Sequence, residues 1–132
     1  PGQPAVPIEI LVQVNTSNEK GKFGIAPAAT AHVIDQIDTM LNVRVRGLMC
    51  MAPRVDDPET LRPVFDRTRE LFEDIRKSAV VGQHFDILSM GMSNDYEVAV
   101  ECGANVVRVG SAIFGEHAED ETESVTATAE SD

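Results

Sequence analysis

The sequence predicts an α/β fold in the order β-α-β-α-β-α-β, the content of the C-terminal half of a (β/α)8 TIM-type barrel, and three observations carry that expectation. Short β-branched runs alternate with segments that repeat apolar residues every three or four positions. The connections are short, as in parallel strands joined by right-handed crossovers. The last two strands each end in a turn of small residues, Ser89-Met90-Gly91-Met92-Ser93-Asn94-Asp95 and Val109-Gly110-Ser111. Such barrels place a phosphate cradle after their last two strands. Four strands are half of a barrel that takes about 250 residues. An open flavodoxin-like sheet is the alternative, although its usual fifth strand is not found.

Ile8 to Val14 is mostly apolar and β-branched, as expected of a strand buried on both faces of a parallel sheet. Asn15 to Gly24 is a polar, glycine-punctuated loop. Pro27 suits a first helical turn, and Val33, Ile34, Ile37 and Leu41 follow at helical spacing. A second strand spans Val43 to Met51, and Ala52 to Pro58 forms the next loop. The helix from Thr60 to Lys77 has the clearest apolar face: Leu61, Val64, Phe65, Thr68, Leu71, Phe72 and Ile75. Arg69/Glu73 and Glu73/Lys77 lie four apart on its wet side. Pro63 belongs in the first turn, where its missing N–H costs nothing, which favours Thr60 over Asp57 as the cap. The third strand is Asp86 to Ser89. A helix capped by Ser93 or Asn94 follows and stops at Gly103, and Val106 to Val109 is the fourth strand.

At 132 residues the chain holds one domain. Residues 1–7 read as a linker, 8–115 as the folded unit and 116–132 as a tail. The net charge of −11 is unevenly placed: the tail holds seven acids and no Lys or Arg, while the rest holds fifteen acids against eleven bases. A tail rich in Ala, Thr, Ser and Glu, without an apolar stripe, is expected to be solvated and disordered. No basic cluster points to nucleic acid, and no apolar run is long enough for a membrane span. The first residues show neither the basic nor the apolar region of a secretory leader. With no initiator Met they read like the interior of a longer gene. Cys50 and Cys102 lack metal or redox spacing and are expected to be buried free thiols, which suits a reducing cytoplasm.

The two turns are the candidate site. Glycine lets a backbone approach a ligand closely, and N–H groups at a helix start favour an anion. Ser89, Gly91, Met92 and Ser93 on the first turn, and Gly110 and Ser111 on the second, are the candidate phosphate contacts, with Arg108 between them. Each has a plainer alternative. Ser89 to Ser93 could be a strand-to-helix turn, and Arg108 could pair with Asp86 or Asp95. Met49, Met51, Met90 and Met92 alternate as packing residues do. His32, His84 and His117 are too far apart for a metal set, and Asp56-Asp57 fits a solvated turn. No Ser/His/Asp or Cys/His grouping emerges, so no catalytic residue and no metal ligand is assigned.

At these residues the sequence resembles the pyridoxal-phosphate homeostasis protein family, alanine-racemase-like barrels. The resemblance covers most of residues 8–115 and falls on the family's C-terminal half. Leu11 to Gly24 resembles its strand and loop "QVN…E…K.G", Arg46 to Met51 its "GLM" strand, and Leu61 to Phe65 the following helix. Leu88 to Asp95 and Val107 to Gly115 are similar to its most diagnostic segments. The resemblance implies a cytoplasmic, catalytically silent binder of pyridoxal phosphate that buffers and delivers the cofactor within vitamin B6 homeostasis. It implies phosphate contacts at Ser89 to Ser93 and at Gly110-Ser111, with Arg108 near the pyridine nitrogen. The family's Schiff-base lysine lies in its N-terminal half and has no counterpart among Lys20, Lys22 and Lys77, so only phosphate contacts are expected.

The competing expectations are a fold-type III racemase or decarboxylase relative and a non-binding truncated remnant. The first should present a catalytic tyrosine or cysteine, and Tyr96, the chain's one tyrosine, sits unsuitably on a helix. Half a barrel also leaves its first and fourth strands with open edges. Self-association, or capture of the missing N-terminal half-barrel, is therefore expected.

Overall fold

The computed structural model describes residues 6–17, 23–78, 84–110 and 126–128. Four parallel strands form the sheet: β1 (Ile8–Val14), β2 (Val43–Cys50), β3 (Ile87–Met90) and β4 (Val106–Arg108). Between them run the helices α1 (Pro27–Asp38), α2 (Arg62–Lys77) and α3 (Tyr96–Glu101). The strands lie side by side in chain order without reversal. Right-handed crossovers between strands in that order put every helix on one face. A flavodoxin-like sheet reverses its order and carries helices on both faces. The fold is therefore the half-barrel.

The strand register explains the core. Val12, Leu48 and Leu88 form one row across β1, β2 and β3, and Val14, Cys50 and Met90 form the row two residues on. All six are buried and pack with Val64, Phe65, Phe72 and Ile75 of α2. Phe72 stacks on Phe85 at 5.2 Å between ring centroids. The intervening rows, Leu11–Gly47–Ile87 and Gln13–Met49–Ser89–Val106, point to the opposite face. Most of those residues are only half-buried.

One irregularity sets that alternation. Ile10 pairs with Val45 but Leu11 with Gly47, so Arg46 is an extra residue on β2. The bulge lets Val45 and Leu48, three apart, both reach the core. It also frees Arg46 to bridge neighbouring strands, at 3.1 Å from Glu9 and 2.9 Å from Asp86. Gly47 is obligatory here. A Cβ would stand 1.7 Å from the carbonyl oxygen of Ile87 on β3, which has no room to retreat.

Several boundaries differ from the sequence-based expectation. A 3-10 turn, Pro58–Leu61, precedes α2, and its cap is Asp57, whose carboxylate accepts from the Glu59 N–H, rather than Thr60. Pro58 starts the helical path earlier, and the Thr60 hydroxyl donates back to the Asp57 carbonyl. α3 starts at Tyr96 with Asp95 at the cap position, not Ser93 or Asn94, because residues 93–95 form a turn of their own. α1 ends at Asp38, which leaves Leu41 beyond the helix and 94% exposed. Gly103, with φ +109°, closes α3 as expected.

The tail brings the largest difference. Thr126–Thr128 forms a further strand, β5, paired antiparallel to the outer edge of β4. The residues on either side, 111–125 and 129–132, lie outside the described residues. An edge expected to be bare is thus partly covered, because the free N–H and C=O groups of β4 offer a ladder to any extended segment.

Gly47→Ala should cost about 2–3 kcal/mol, the scale of overpacking against a neighbour that cannot yield. Urea unfolding should show the midpoint falling with an unchanged slope. An unshifted midpoint would mean that the bulge relaxes to admit a methyl group.

Candidate functional site

Because the strands are parallel and in register, Asn15, Met51, Gly91 and Val109 all follow the last strand residues at the same end of the sheet. Ligands of α/β folds bind at this carboxyl end, where the loops diverge. The described candidate residues lie in or just after β3 and β4, at this end. Ser89 sits in β3, 4% exposed, on the face opposite the core. Gly91 follows in the left-handed region, φ +100°. Arg108 ends β4, and its backbone N–H donates to the Gly91 carbonyl at 3.0 Å, which ties the turn after β3 to the end of β4. Gly110 is buried nearby in sequence, and Ser111 lies outside the described residues.

The Ser89–Asp95 turn is held from within. The Asp95 carboxylate accepts from the Met92 N–H at 2.7 Å, and the N–H groups of Asp95 and Tyr96 return to the Met92 carbonyl. This removes Met92 N–H from the set of donors available to an anion. Gly91 also has a role other than the expected one. A Cβ there would lie 2.7 Å from the Ala99 Cβ, so the glycine serves close packing of α3 onto β3. Asn94 donates across to the Val55 carbonyl at 3.0 Å, tying this turn to the loop after β2.

Arg108 pairs with neither acid proposed for it. Asp86 is engaged by Arg46, and Asp95 by Met92. Among the described residues no carboxylate lies in ion-pair contact with Arg108, so its half-buried guanidinium is available to an anion or a ring nitrogen. The cysteines are buried and free, and burial pushes the Cys102 thiol up to about 11, too high for a nucleophile at neutral pH. No group of three potential metal ligands occurs among the described residues. No helix there is long and apolar enough to cross a membrane.

The end of β1 is fixed by a network that periodicity could not reveal. The buried Thr16 hydroxyl meets that of Thr68 on α2 at 2.6 Å and lies 3.5 Å from the Cys50 sulfur. Thr68 also donates to the Val64 carbonyl, and Arg67 donates to the Thr16 carbonyl at 2.6 Å. The one sequence signal was Thr68, a hydroxyl on an otherwise apolar helix face. Next to the network, Asn15 accepts from the Ser17 hydroxyl and N–H, which shapes the start of the loop at the mouth. A cavity of about 250 Å³ opens on the outer side of the Ser89–Asp95 turn, lined by Asp57, Glu59, Ser93, Asn94, Tyr96 and Glu97. Its acids make it unsuited to phosphate.

A family model described as "Alanine racemase, N-terminal domain" matches residues 2–118. The pyridoxal phosphate homeostasis protein of Helicobacter pylori is 38% identical over 112 residues, 84% of this chain and 47% of the relative. A protein of unknown function from Bifidobacterium adolescentis superposes with a TM-score of 0.76 at 34% identity, over 83% of this chain and 44% of that one. PipY of Synechococcus elongatus, solved with pyridoxal phosphate bound, superposes with a TM-score of 0.69 at 27% identity, over 83% and 50%. The chain spans about half the length of the curated relatives it matches.

Burial, the largest influence on Asp95, holds its carboxyl above the usual carboxylate range, against the pull of the Met92 and Asp95 N–H groups. The folded state thus retains this proton more tightly than the unfolded chain, and stability is withdrawn as pH rises through the carboxylate range. Asp95→Asn keeps an acceptor for Met92 N–H. It should melt at or above the parent temperature at neutral pH, with the advantage vanishing in acid. A melting temperature several degrees lower at neutral pH would show that the charge itself holds the turn.

Proposed function

The chain belongs to the family of the alanine racemase N-terminal domain, and from that premise we propose that it binds pyridoxal phosphate as a homeostasis protein, without catalysing a reaction. One observation carries the proposal. The turn after β3 is tied through Gly91 to Arg108 at the end of the adjacent parallel strand β4, and no described carboxylate neutralises the Arg108 guanidinium. We infer that the phosphate lies among the small residues of the turns, with Ser89, Gly91, Met92, Ser93, Gly110 and Ser111 as its surroundings, and that Arg108 faces the ring nitrogen. Because Asp95 occupies the Met92 N–H, Met92 lends no backbone donor to the phosphate. The bound cofactor supplies an aldehyde and an electron-withdrawing pyridine ring. Placed beside the ring nitrogen, Arg108 would disfavour a proton there and so weaken the ring as an electron sink, which suits carriage over catalysis.

The naming of the relatives as homeostasis proteins, and the cofactor in the solved PipY, support this choice over a racemase-like enzyme. The position of Tyr96 in the first turn of α3, half-buried against the core, supports it as well. Lys77 ends α2, at the far end of the sheet from the site, and Lys20 and Lys22 lie outside the described residues. The proposal therefore involves phosphate and ring contacts alone.

Titration with pyridoxal phosphate should show weak, saturable binding that inorganic phosphate displaces. Arg108→Ala should lower the affinity about tenfold or more, the scale of one charge-assisted hydrogen bond. Borohydride reduction followed by intact-mass measurement should leave the lysines unlabelled. Affinity indifferent to both phosphate and Arg108→Ala would remove the proposal, and stoichiometric labelling of one lysine would show a covalent site.

A further inference from the structure

The turn after β3 already holds an anion of the chain's own. The Asp95 carboxylate sits on the Met92 N–H at 2.7 Å, and Asp95 is only 7% exposed. Its backbone N–H returns to the Met92 carbonyl, so the side chain is folded back under its own turn. The turn is pinned on both sides, with Asn94 tied to the Val55 carbonyl and the Gly91 carbonyl tied to the Arg108 N–H. It cannot move far from that carboxylate. An anion among Ser89, Gly91 and Ser93 therefore meets a second negative charge held on the intervening residue, where burial weakens screening.

We propose that Asp95 governs anion binding at this turn: its ionised carboxylate is a built-in competitor, so a phosphate binds with uptake of one proton by Asp95. The inference rests on the phosphate reading above and concerns what regulates that site. The surrounding charges do not relieve the conflict. β3 carries none, and Arg62 of α2 is taken by Glu59 and Glu101. Asp57 and Glu59 of the Pro58–Leu61 turn region and Glu97 of α3 line the cavity on the outer side and add to the negative potential. Arg54 and Asp56, exposed on the loop after β2, carry opposite charges. From β4 the charge is that of Arg108, joined to the turn through Gly91. Among the described residues no Lys or Arg is in ion-pair contact with Asp95. A proton is then the means by which Asp95 can lose its charge and still accept from the Met92 N–H through its carbonyl oxygen.

Inorganic sulfate is the probe, since it keeps its double charge while carboxylates titrate. The full chain is titrated with it from neutral pH down through the carboxylate range. At neutral pH Asp95→Asn should bind sulfate about tenfold more tightly than the parent, the scale of one like charge removed from a partly buried site. The advantage should close as acid protonates Asp95 in the parent. Glu97→Gln removes an exposed charge outside the turn and should change the affinity less than about twofold. Should Asp95→Asn fail to fold, carboxyl-carbon NMR of the parent chain gives a second reading. Linkage is reciprocal, so saturating sulfate should raise the Asp95 titration midpoint by about one pH unit. Three outcomes would overturn this inference and leave the anion site standing: sulfate bound equally by parent and Asp95→Asn at neutral pH, a gain from Glu97→Gln as large as that from Asp95→Asn, or a midpoint that bound sulfate does not move. Absence of sulfate binding by either chain at every pH would overturn both the inference and the reading beneath it.

Discussion

Strands laid side by side in chain order, joined by crossovers of a single hand, constrain everything else in this molecule. The right-handed twist of each strand lets a following helix return to only one face. With no reversal in strand order, α1, α2 and α3 all land on that face. The core is therefore one-sided, built from alternate strand residues and the apolar stripe of α2. The same arrangement brings the loops after the strands to one end. It also leaves an apolar face and a strand edge that a doubly wound sheet would have covered with helices.

The two ends of the sheet are finished with different chemistry. At the amino end Arg46, freed by the bulge, spans from Glu9 to Asp86, with its Nε donating to the His84 carbonyl. Asn105 extends this tie by accepting from the Leu88 N–H and donating to the Asp86 carbonyl. Exposed ion pairs contribute little to stability on their own, and their value here is in fixing strand register. At the carboxyl end the fastening uses no carboxylate: the buried Thr16 and Thr68 hydroxyls meet, and Arg67 donates to the Thr16 carbonyl. An anchor without a carboxylate leaves the Arg108 guanidinium with no acid partner among the described residues. Had a carboxylate performed the anchoring, it would have competed for that guanidinium.

Asp95 illustrates how a turn and a site constrain one another. Holding a buried carboxylate against the Met92 N–H orders the turn after β3, at a cost in desolvation and in one donor withheld from an anion. In exchange, Gly91 and Ala99 come close enough to seat α3 directly on β3. That seating sets the position of the turn relative to Arg108.

Local chemistry was enough to determine the four parallel strands, the three helices and the glycine-bearing turn after β3. Apolar periodicity reports which face of an element is buried, and Pro27, Pro63 and Gly103 mark boundaries through their own backbone restrictions. Motif resemblance identified the family for the same reason, since Leu88 to Asp95 and Val107 to Gly115 are contiguous. The caps were misplaced because Asp57, Thr60, Ser93, Asn94 and Asp95 all carry oxygen atoms able to cap, and only the three-dimensional course of the turn selects among them. The partners of Arg46 and Thr16 lay beyond the sequence altogether, since Asp86 is 40 residues from Arg46 and Thr68 is 52 from Thr16. A bulge that shifts register by one residue, and a tail strand that finds an open edge, depend on what the neighbouring strand offers. Tertiary structure alone could decide them, because a hydrogen-bond ladder is a property of two chain segments and periodicity is a property of one.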